Sequence, residues 1–97
     1  MRPSEVVRER REAIVAIVRA NDTQNPRIFG SIARGEDDET SDIDLLVDSV
    51  PEMTTLLSLA RIKRAVEALT GIATDVATPG SLNPRYRDSI IKEAIEL

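Results

Sequence analysis

The sequence predicts an α/β fold in which a small mixed β-sheet is flanked by helices. Short apolar segments suited to strands alternate along the chain with stretches whose apolar residues recur at helical spacing. The core must be built from branched aliphatic side chains, because the 97 residues include 26 Ile, Val and Leu but only one Phe and one Tyr. This length predicts a single domain spanning residues 1–97.

The first half of the chain predicts a helix, a strand, a helical turn and a second strand. Ser4 is a suitable N-cap for a helix over residues 4–20. Residues 27–29 predict a short strand, and residues 31–34 predict one helical turn that a glycine closes. A polar loop then leads to a strand over residues 42–48. On that strand Ile43, Leu45 and Val47 face one side, and Asp42, Asp44, Leu46 and Asp48 face the other.

The second half predicts a long helix, a third strand and a last helix. The long helix covers residues 54–70, ends at Gly71 and carries a stripe of Leu59, Ile62, Val66 and Leu69. The third strand covers residues 72–78. The last helix covers residues 85–96 and carries a stripe of Tyr86, Ile90, Ala94 and Leu97.

The composition excludes several classes of function. A net charge of −4 argues against binding duplex nucleic acid, which normally requires a basic excess. Without Cys or His the chain cannot form disulfides, zinc fingers, thiol nucleophiles or an imidazole base. No stretch approaches the roughly 20 apolar residues of a membrane span, and the charged start lacks the apolar block of a signal peptide. We therefore expect a cytoplasmic protein with no membrane partner.

The charges are concentrated in one acidic block. Residues 36–48 contain seven acids and no base, whereas the rest of the chain has 13 bases and 10 acids. Such a block is either a solvated loop or a cation site, because crowded carboxylates repel one another unless a positive charge lies between them. A calcium-binding loop over residues 37–48 is excluded, because no glycine occupies the required turn position.

Asp42 and Asp44 are the central pair of this block. Residues two apart on a strand project from the same face, so both carboxylates could bind one hard divalent cation or bridge two. The alternative is that they form the polar face of an edge strand.

Gly30 and Ser31 follow a strand and open a helical turn, a junction whose backbone N–H groups favour an anion. Glycine also allows phosphate oxygens to approach the chain closely. The alternative is that Gly30 only makes a turn and that Ser31 is only an N-cap.

Asp75 is the third acid, placed in the middle of an otherwise apolar strand. A buried charge there is costly unless it is paired or metal-bound, so the alternative is a salt bridge to an arginine. A phosphate cradle facing three carboxylates is what a metal-assisted nucleotide site requires.

These motifs resemble those of a known family. Gly30 to Gly35 reads GSIARG and Ser41 to Val47 reads SDIDLLV, and the two together resemble the signature of the polymerase-beta-like nucleotidyltransferases. Within that superfamily the chain is most similar to the minimal bacterial and archaeal nucleotidyltransferases. The resemblance extends to Thr74 to Val76 as the strand of the third carboxylate, and to Arg87 to Ala94 as a typical closing helix.

The resemblance implies nucleotidyl transfer from ATP with two Mg²⁺ ions. Asp42 and Asp44 would bind both ions, while Asp75 would complete the site of the catalytic ion and help deprotonate the acceptor hydroxyl. No fingers, thumb or nucleic-acid-binding appendage is present, which argues against polymerase activity.

The same resemblance assigns the nucleotide contacts. Gly30 and Ser31 would hold the β- and γ-phosphates. Arg34 would either contact the triphosphate or hold the acidic loop through an ion pair.

The resemblance also indicates a partner. Family members of this size are similar to antitoxins paired with a helical HEPN-domain toxin, and some transfer AMP to a tyrosine of that toxin. The last helix carries more apolar residues than one sheet face needs, which predicts a docking surface for a helical partner. The alternatives are a catalytically silent antitoxin that acts by contact and a small-molecule nucleotidyltransferase of the aminoglycoside-modifying type, which normally needs an added domain.

Overall fold

The computed structural model describes residues 1–97 and has the α/β architecture that the sequence predicts. The strands are β1 (Thr23–Phe29), β2 (Ile43–Ser49), β3 (Thr74–Ala77) and β4 (Ile95–Glu96). The helices are α1 (Pro3–Glu9), α2 (Arg11–Ala20), α3 (Gly30–Ala33), α4 (Leu56–Thr70) and α5 (Pro84–Glu93), with a 3-10 turn at Pro79–Ser81. The strand order is β3-β2-β1-β4, in which β1 runs antiparallel to both of its neighbours and β2 runs parallel to β3. The sheet is therefore mixed, as predicted.

The main core lies between one face of this sheet and helices α2 and α4. Its buried side chains are Val7 of α1, Ile14 and Val18 of α2, Ile62 and Val66 of α4, and Ile28, Ile43, Leu45 and Val47 of the strands. The predicted alternation along β2 is thus confirmed. Leu46 is fully buried on the opposite face, where α5 and the 3-10 turn pack against the sheet. Both faces are covered along this part of β2, and its charged residues lie nearer the strand's ends.

The start of the first helix differs from the prediction. Arg2 is the N-cap and Pro3 occupies the first helical position, because the fixed φ of proline suits that position. The prediction that Ser4 caps the helix is therefore wrong. The helix is also interrupted at Arg10, so that α1 and α2 are separate elements.

The end of the chain differs more. Helix α5 ends at Glu93, and Ile95 and Glu96 form β4 instead of continuing the predicted helix. They pair with Ile28 and Arg27, and the Leu97 N–H donates to the Pro26 carbonyl at 3.1 Å. This pairing satisfies backbone groups along the free edge of β1, which a helix could not do. Tyr86, predicted to lie on a packed stripe, is 52% exposed.

The remaining element boundaries are close to those predicted. Strand β1 begins at Thr23, earlier than expected, and its register shifts between Gln24 and Arg27, which accommodates Pro26 within the strand. Helix α4 begins after Thr55, whose hydroxyl accepts the Ser58 N–H, and ends at Gly71 as predicted. No helix combines the length and the apolar character needed to cross a membrane.

Candidate active site

Three carboxylates, those of Asp42, Asp44 and Asp75, lie at the end of the sheet where β2 and β3 begin. Asp44 lies opposite Phe29 of β1 on one side and opposite Asp75 of β3 on the other. Asp42 stands two residues before Asp44, and strand alternation directs both side chains to the same face. Neighbouring strands are about 4.8 Å apart, so the register alone makes Asp44 and Asp75 adjacent like charges.

The three acids differ in burial, and only Asp44 is half-buried. The pKa of Asp44 is raised to about 6. Burial is the main cause, the charges of Asp75 and Asp42 add to it, and the charge of Arg34 has a smaller opposing effect. Asp42 and Asp75 are exposed. The expectation that Asp75 is buried and needs a partner is therefore wrong, because its side of β3 is open to solvent while Thr74 on the other side is buried. The alternative of a salt bridge is wrong as well, because none of the ion pairs involves Asp75.

The side-chain oxygens of these three acids suit a hard divalent cation. All the available oxygens belong to carboxylates, which are the ligands that Mg²⁺ prefers. No protein group donates a hydrogen bond to Asp44, yet its oxygens remain reachable by solvent. No group of three or more acidic side chains converges into a ready-made metal site. Cation binding would therefore require the carboxylates to turn toward one another.

Gly30 packs directly against Asp44. Its φ is +73°, a conformation that side chains disfavour, and a Cβ at this position would collide with the Asp44 carboxylate. From the sequence, this glycine was expected either to allow phosphate to approach the chain or only to make a turn. The structure adds a second requirement, which is the close contact between this turn and the carboxylate cluster.

Ser31 lies inside the single turn of α3 and not at its cap. The N-cap is Phe29, and no side chain caps this helix. The interpretation of Ser31 as merely an N-cap is therefore wrong. The turn ends at Gly35 with φ +70°, as predicted, and the Glu36 N–H donates to the Ser31 carbonyl at 2.9 Å.

Arg34 extends from this turn and is held by two carboxylates. Its Nε donates to Glu36 at 3.1 Å, and its Nη1 lies 3.3 Å from both carboxylate oxygens of Glu93. Glu36 is the first residue of the acidic block, so the ion pair to the acidic loop is present. The other terminal nitrogen, Nη2, makes no hydrogen bond within the protein and remains available to a ligand.

Glu93 is the residue of this site that the sequence analysis did not single out. Besides Arg34, its Oε2 accepts the Gly30 N–H at 2.7 Å. One signal in the sequence could have indicated it. An acid in the last turn of a helix faces the negative end of the helix dipole, so it needs compensating donors elsewhere.

Most other acids of the block have structural partners. Asp37 is buried and accepts the Ser4 N–H at 2.9 Å, which satisfies a donor in the first turn of α1. Asp38 accepts the Thr40 N–H at 2.8 Å, and Asp48 is paired with Arg27. The pKa of Asp38 is lowered, chiefly by its hydrogen bond with the Thr40 side chain.

The one surface cavity lies elsewhere, between α2 and the C-terminus, where Arg11, Val15 and Leu97 are among its lining residues. The face that carries the carboxylates is thus open and encloses no ligand-sized volume.

Comparison with known proteins supports the motif analysis. A model of the family described as "Nucleotidyltransferase domain" matches residues 11–97. A relative from Methanocaldococcus jannaschii, provisionally named a protein adenylyltransferase, is 38% identical over 91 residues, which cover 94% of this chain and 97% of the relative. The protein adenylyltransferase MntA of Thermococcus cleftensis is 35% identical over 68 residues, which cover 70% of this chain and 68% of the relative.

Solved structures agree. One provisionally described as a minimal nucleotidyltransferase is 42% identical, with a TM-score of 0.85 over 97% of this chain and 95% of that one. Another, described as the toxin-antitoxin with AMP-PNP, shares the fold at 17% identity, with a TM-score of 0.74 over 88% of this chain and 69% of that one. The family resemblance of the two motifs is thereby confirmed, and the chain belongs to the nucleotidyltransferase domain family as an enzyme of the nucleotidyltransferase class.

Proposed function

We propose that residues 1–97 act as one minimal nucleotidyltransferase domain that moves AMP from ATP to a hydroxyl group of a partner protein. The observation that carries the proposal is the environment of Asp44. This half-buried carboxylate stands between two others, accepts no hydrogen bond from the protein and contacts the Gly30 turn. A purely structural acid would have a donor, as Asp37 and Asp38 do.

Asp42, Asp44 and Asp75 would hold two Mg²⁺ ions. When bound, the ions would neutralise triphosphate charge and lower the pKa of the acceptor hydroxyl. The protein contributes by positioning the ligands, because the paired strands β2 and β3 hold the three carboxylates at one end of a rigid sheet.

The Gly30–Ser31 turn and Arg34 would bind the β- and γ-phosphates. The acceptor oxygen bonds to the α-phosphorus while the bond from that phosphorus to the β-phosphate bridge breaks, and pyrophosphate leaves. The acceptor proton passes to Asp75 or to solvent. Arg34 can donate to the phosphates through Nη2, the guanidinium nitrogen that makes no hydrogen bond to a protein carboxylate.

A protein acceptor suits the open shape of the site. The single cavity lies between α2 and the C-terminus, and none of the three carboxylates lines it. A docked partner would supply the missing wall and exclude water from the reaction. Relatives are named protein adenylyltransferases, and a structure of the same fold is a toxin-antitoxin, which together support a toxin as the acceptor. We propose a tyrosine of a helical HEPN-type toxin and an antitoxin role for this chain.

The test is transfer to the product of the neighbouring gene. The two purified proteins are mixed with Mg²⁺ and ATP, and the partner is weighed by intact mass spectrometry. Each AMP adds about 329 Da, the mass of the nucleotide less water. We expect this gain with the natural chain and its loss, by at least about 100-fold in rate, with Asp44→Asn.

Glu39→Gln is the matched control, because Glu39 is an exposed acid of the same block without a partner, and it should retain full transfer. A tight complex that never gains the mass would instead support the silent antitoxin. Full transfer by Asp44→Asn would contradict the assignment of the site.

A further inference from the structure

Glu93 connects the C-terminal helix to the glycine turn across 63 positions of sequence. Its carboxylate receives one backbone N–H, from Gly30, and one guanidinium, from Arg34. The side chain is 25% exposed, less than the 47% of Arg34. Both donors belong to the segment that would bind the nucleotide tail.

The position of Glu93 is unfavourable for a purely local role. It is the last residue of α5, where the helix dipole repels an anion, and Lys92 beside it would suit the position better. Charge-assisted hydrogen bonds to two groups outside the helix offset this repulsion.

The first effect of Glu93 is on the backbone at Gly30. A short bond of 2.7 Å from the Gly30 N–H fixes the peptide that approaches Asp44. This peptide has φ +73°, so it lies outside the conformations that the neighbouring strand would impose. The carboxylate of Glu93 therefore helps hold the turn against the carboxylate cluster.

The second effect is on the orientation of Arg34. The guanidinium is rigid and planar. Its Nη1 donates to Glu93 and its Nε donates to Glu36. Only Nη2 is left without a hydrogen-bond partner in the protein. The Arg34 side chain is 47% exposed, so a ligand can reach its guanidinium.

We propose that Glu93 is a positioning residue for the triphosphate: it orients Arg34 and the Gly30 turn so that their free donors meet the β- and γ-phosphates. This inference rests on the proposed function. It predicts that Glu93 affects ligands with a β- and γ-phosphate and leaves ligands that end at the α-phosphate unaffected.

The opposite relation is the competing outcome. If the carboxylate simply occupies the place of a phosphate, then binding of the triphosphate must displace it. Removing the carboxylate would in that case strengthen triphosphate binding. Positioning predicts that binding is weakened.

The experiment measures binding of AMP-PNP and of AMP to the full chain by calorimetry with Mg²⁺. In Glu93→Gln the Kd for AMP-PNP should rise about tenfold, while the Kd for AMP should change less than about twofold. Glu93→Ala should weaken AMP-PNP further, because glutamine can still accept the Gly30 N–H and alanine cannot. If Glu93→Ala does not fold, the isosteric glutamine variant still decides the question.

Two comparisons sharpen the result. Glu96→Gln removes an exposed carboxylate three residues away, without a partner, and should leave both affinities unchanged. In an Arg34→Gln background, Glu93→Gln should have a smaller effect than in the natural chain, because part of its action passes through the arginine.

An equal loss for AMP-PNP and AMP would indicate a general structural role and overturn the inference. Tighter AMP-PNP binding in Glu93→Gln would also overturn it, in favour of competition. If the natural chain binds no AMP-PNP, the proposed function fails and the inference fails with it. Binding by the natural chain with no change in Glu93→Gln overturns the inference alone.

Discussion

The acidic block and the strand beside it contain two kinds of carboxylate. Asp37 and Asp38 accept hydrogen bonds from nearby backbone N–H groups. Burial alone would raise the pKa of Asp37, but the hydrogen bonds from Ser4 bring it below its usual value. Asp44 has no such donor, and its partial burial together with the charges of Asp75 and Asp42 raises its pKa to about 6.

The difference separates structure from function within one charged stretch. A carboxylate with donors stabilises the folded chain, whereas one that faces other carboxylates destabilises it until a cation arrives. Natural proteins keep such unfavourable arrangements mainly at functional sites. The two alternatives for the acidic block, a solvated loop and a cation site, thus apply to different residues of it.

The largest stability effect is expected where the backbone meets the unpartnered acid. Gly30→Ala adds a Cβ that collides with Asp44 and forces alanine into a left-handed conformation. The free energy of unfolding should fall by about 2–3 kcal/mol, measured by urea denaturation.

Gly35→Ala is the matched control, since φ is +70° and no atom lies within 4 Å of its added Cβ. It should cost only the conformational part, about 1 kcal/mol. Adding Asp44→Ala to Gly30→Ala should restore the part of the unfolding free energy that is lost through the collision with the Asp44 carboxylate. Equal losses in the two alanine variants would show that the contact with Asp44 carries no energy.

The sequence predicted the parts of this site that depend on local rules. Alternation along a strand placed Asp42 and Asp44 on one face, and the GSIARG run predicted the turn at Gly30. Helical spacing predicted α4, including its end at Gly71. These features follow from the backbone geometry of a few neighbouring residues.

The parts that were missed depend on contacts between distant segments. Strand β4 has two residues, too few to show any periodicity, and it exists because the edge of β1 offers backbone partners. Glu93 acquires its role from Gly30, which local patterns cannot connect with it. Asp75 is exposed because its side of β3 is not covered, whereas Thr74 on the other side is buried, and the apolar neighbours in the sequence do not show which side is covered.

A smaller effect should appear in the pH dependence of stability of the metal-free protein. The folded-state pKa of Asp44 is about 6, above the unfolded value of 3.8, so the folded protein favours the protonated carboxyl. The stability that this preference contributes is fully present below pH 3.8 and is lost as the pH rises to about 6. Burial is the main cause of this raised pKa, the charges of Asp75, Asp42 and Glu93 raise it further, and the charge of Arg34 lowers it.

Asp44→Asn should therefore be more stable than the natural chain above pH 6, by roughly 1–2 kcal/mol after solvent screening, and about equal to it near pH 4. Thermal melts across this range in the presence of a chelator measure the difference. Asp38→Asn provides the contrast, because the lowered pKa of Asp38 stabilises the fold above pH 3.8 and its loss should destabilise at neutral pH. A pH-independent difference for Asp44→Asn would refute the assigned pKa.

The smallest effect concerns a partnered acid of the same block. Asp37→Ala removes the acceptor of the Ser4 N–H, a donor in the first turn of α1 that has no partner within the helix. The free energy of unfolding should fall by about 1 kcal/mol, as for other lost caps of helix N-termini. Binding of AMP-PNP should stay unchanged, because the Asp37 carboxylate accepts a hydrogen bond from α1 and is not one of the three acids of the candidate site. Asp37→Asn should be intermediate, since its amide oxygen can still accept the bond but carries no charge for the helix dipole. A loss of nucleotide affinity in Asp37→Ala, at unchanged stability, would place Asp37 with the functional acids and remove the distinction between the two kinds of carboxylate.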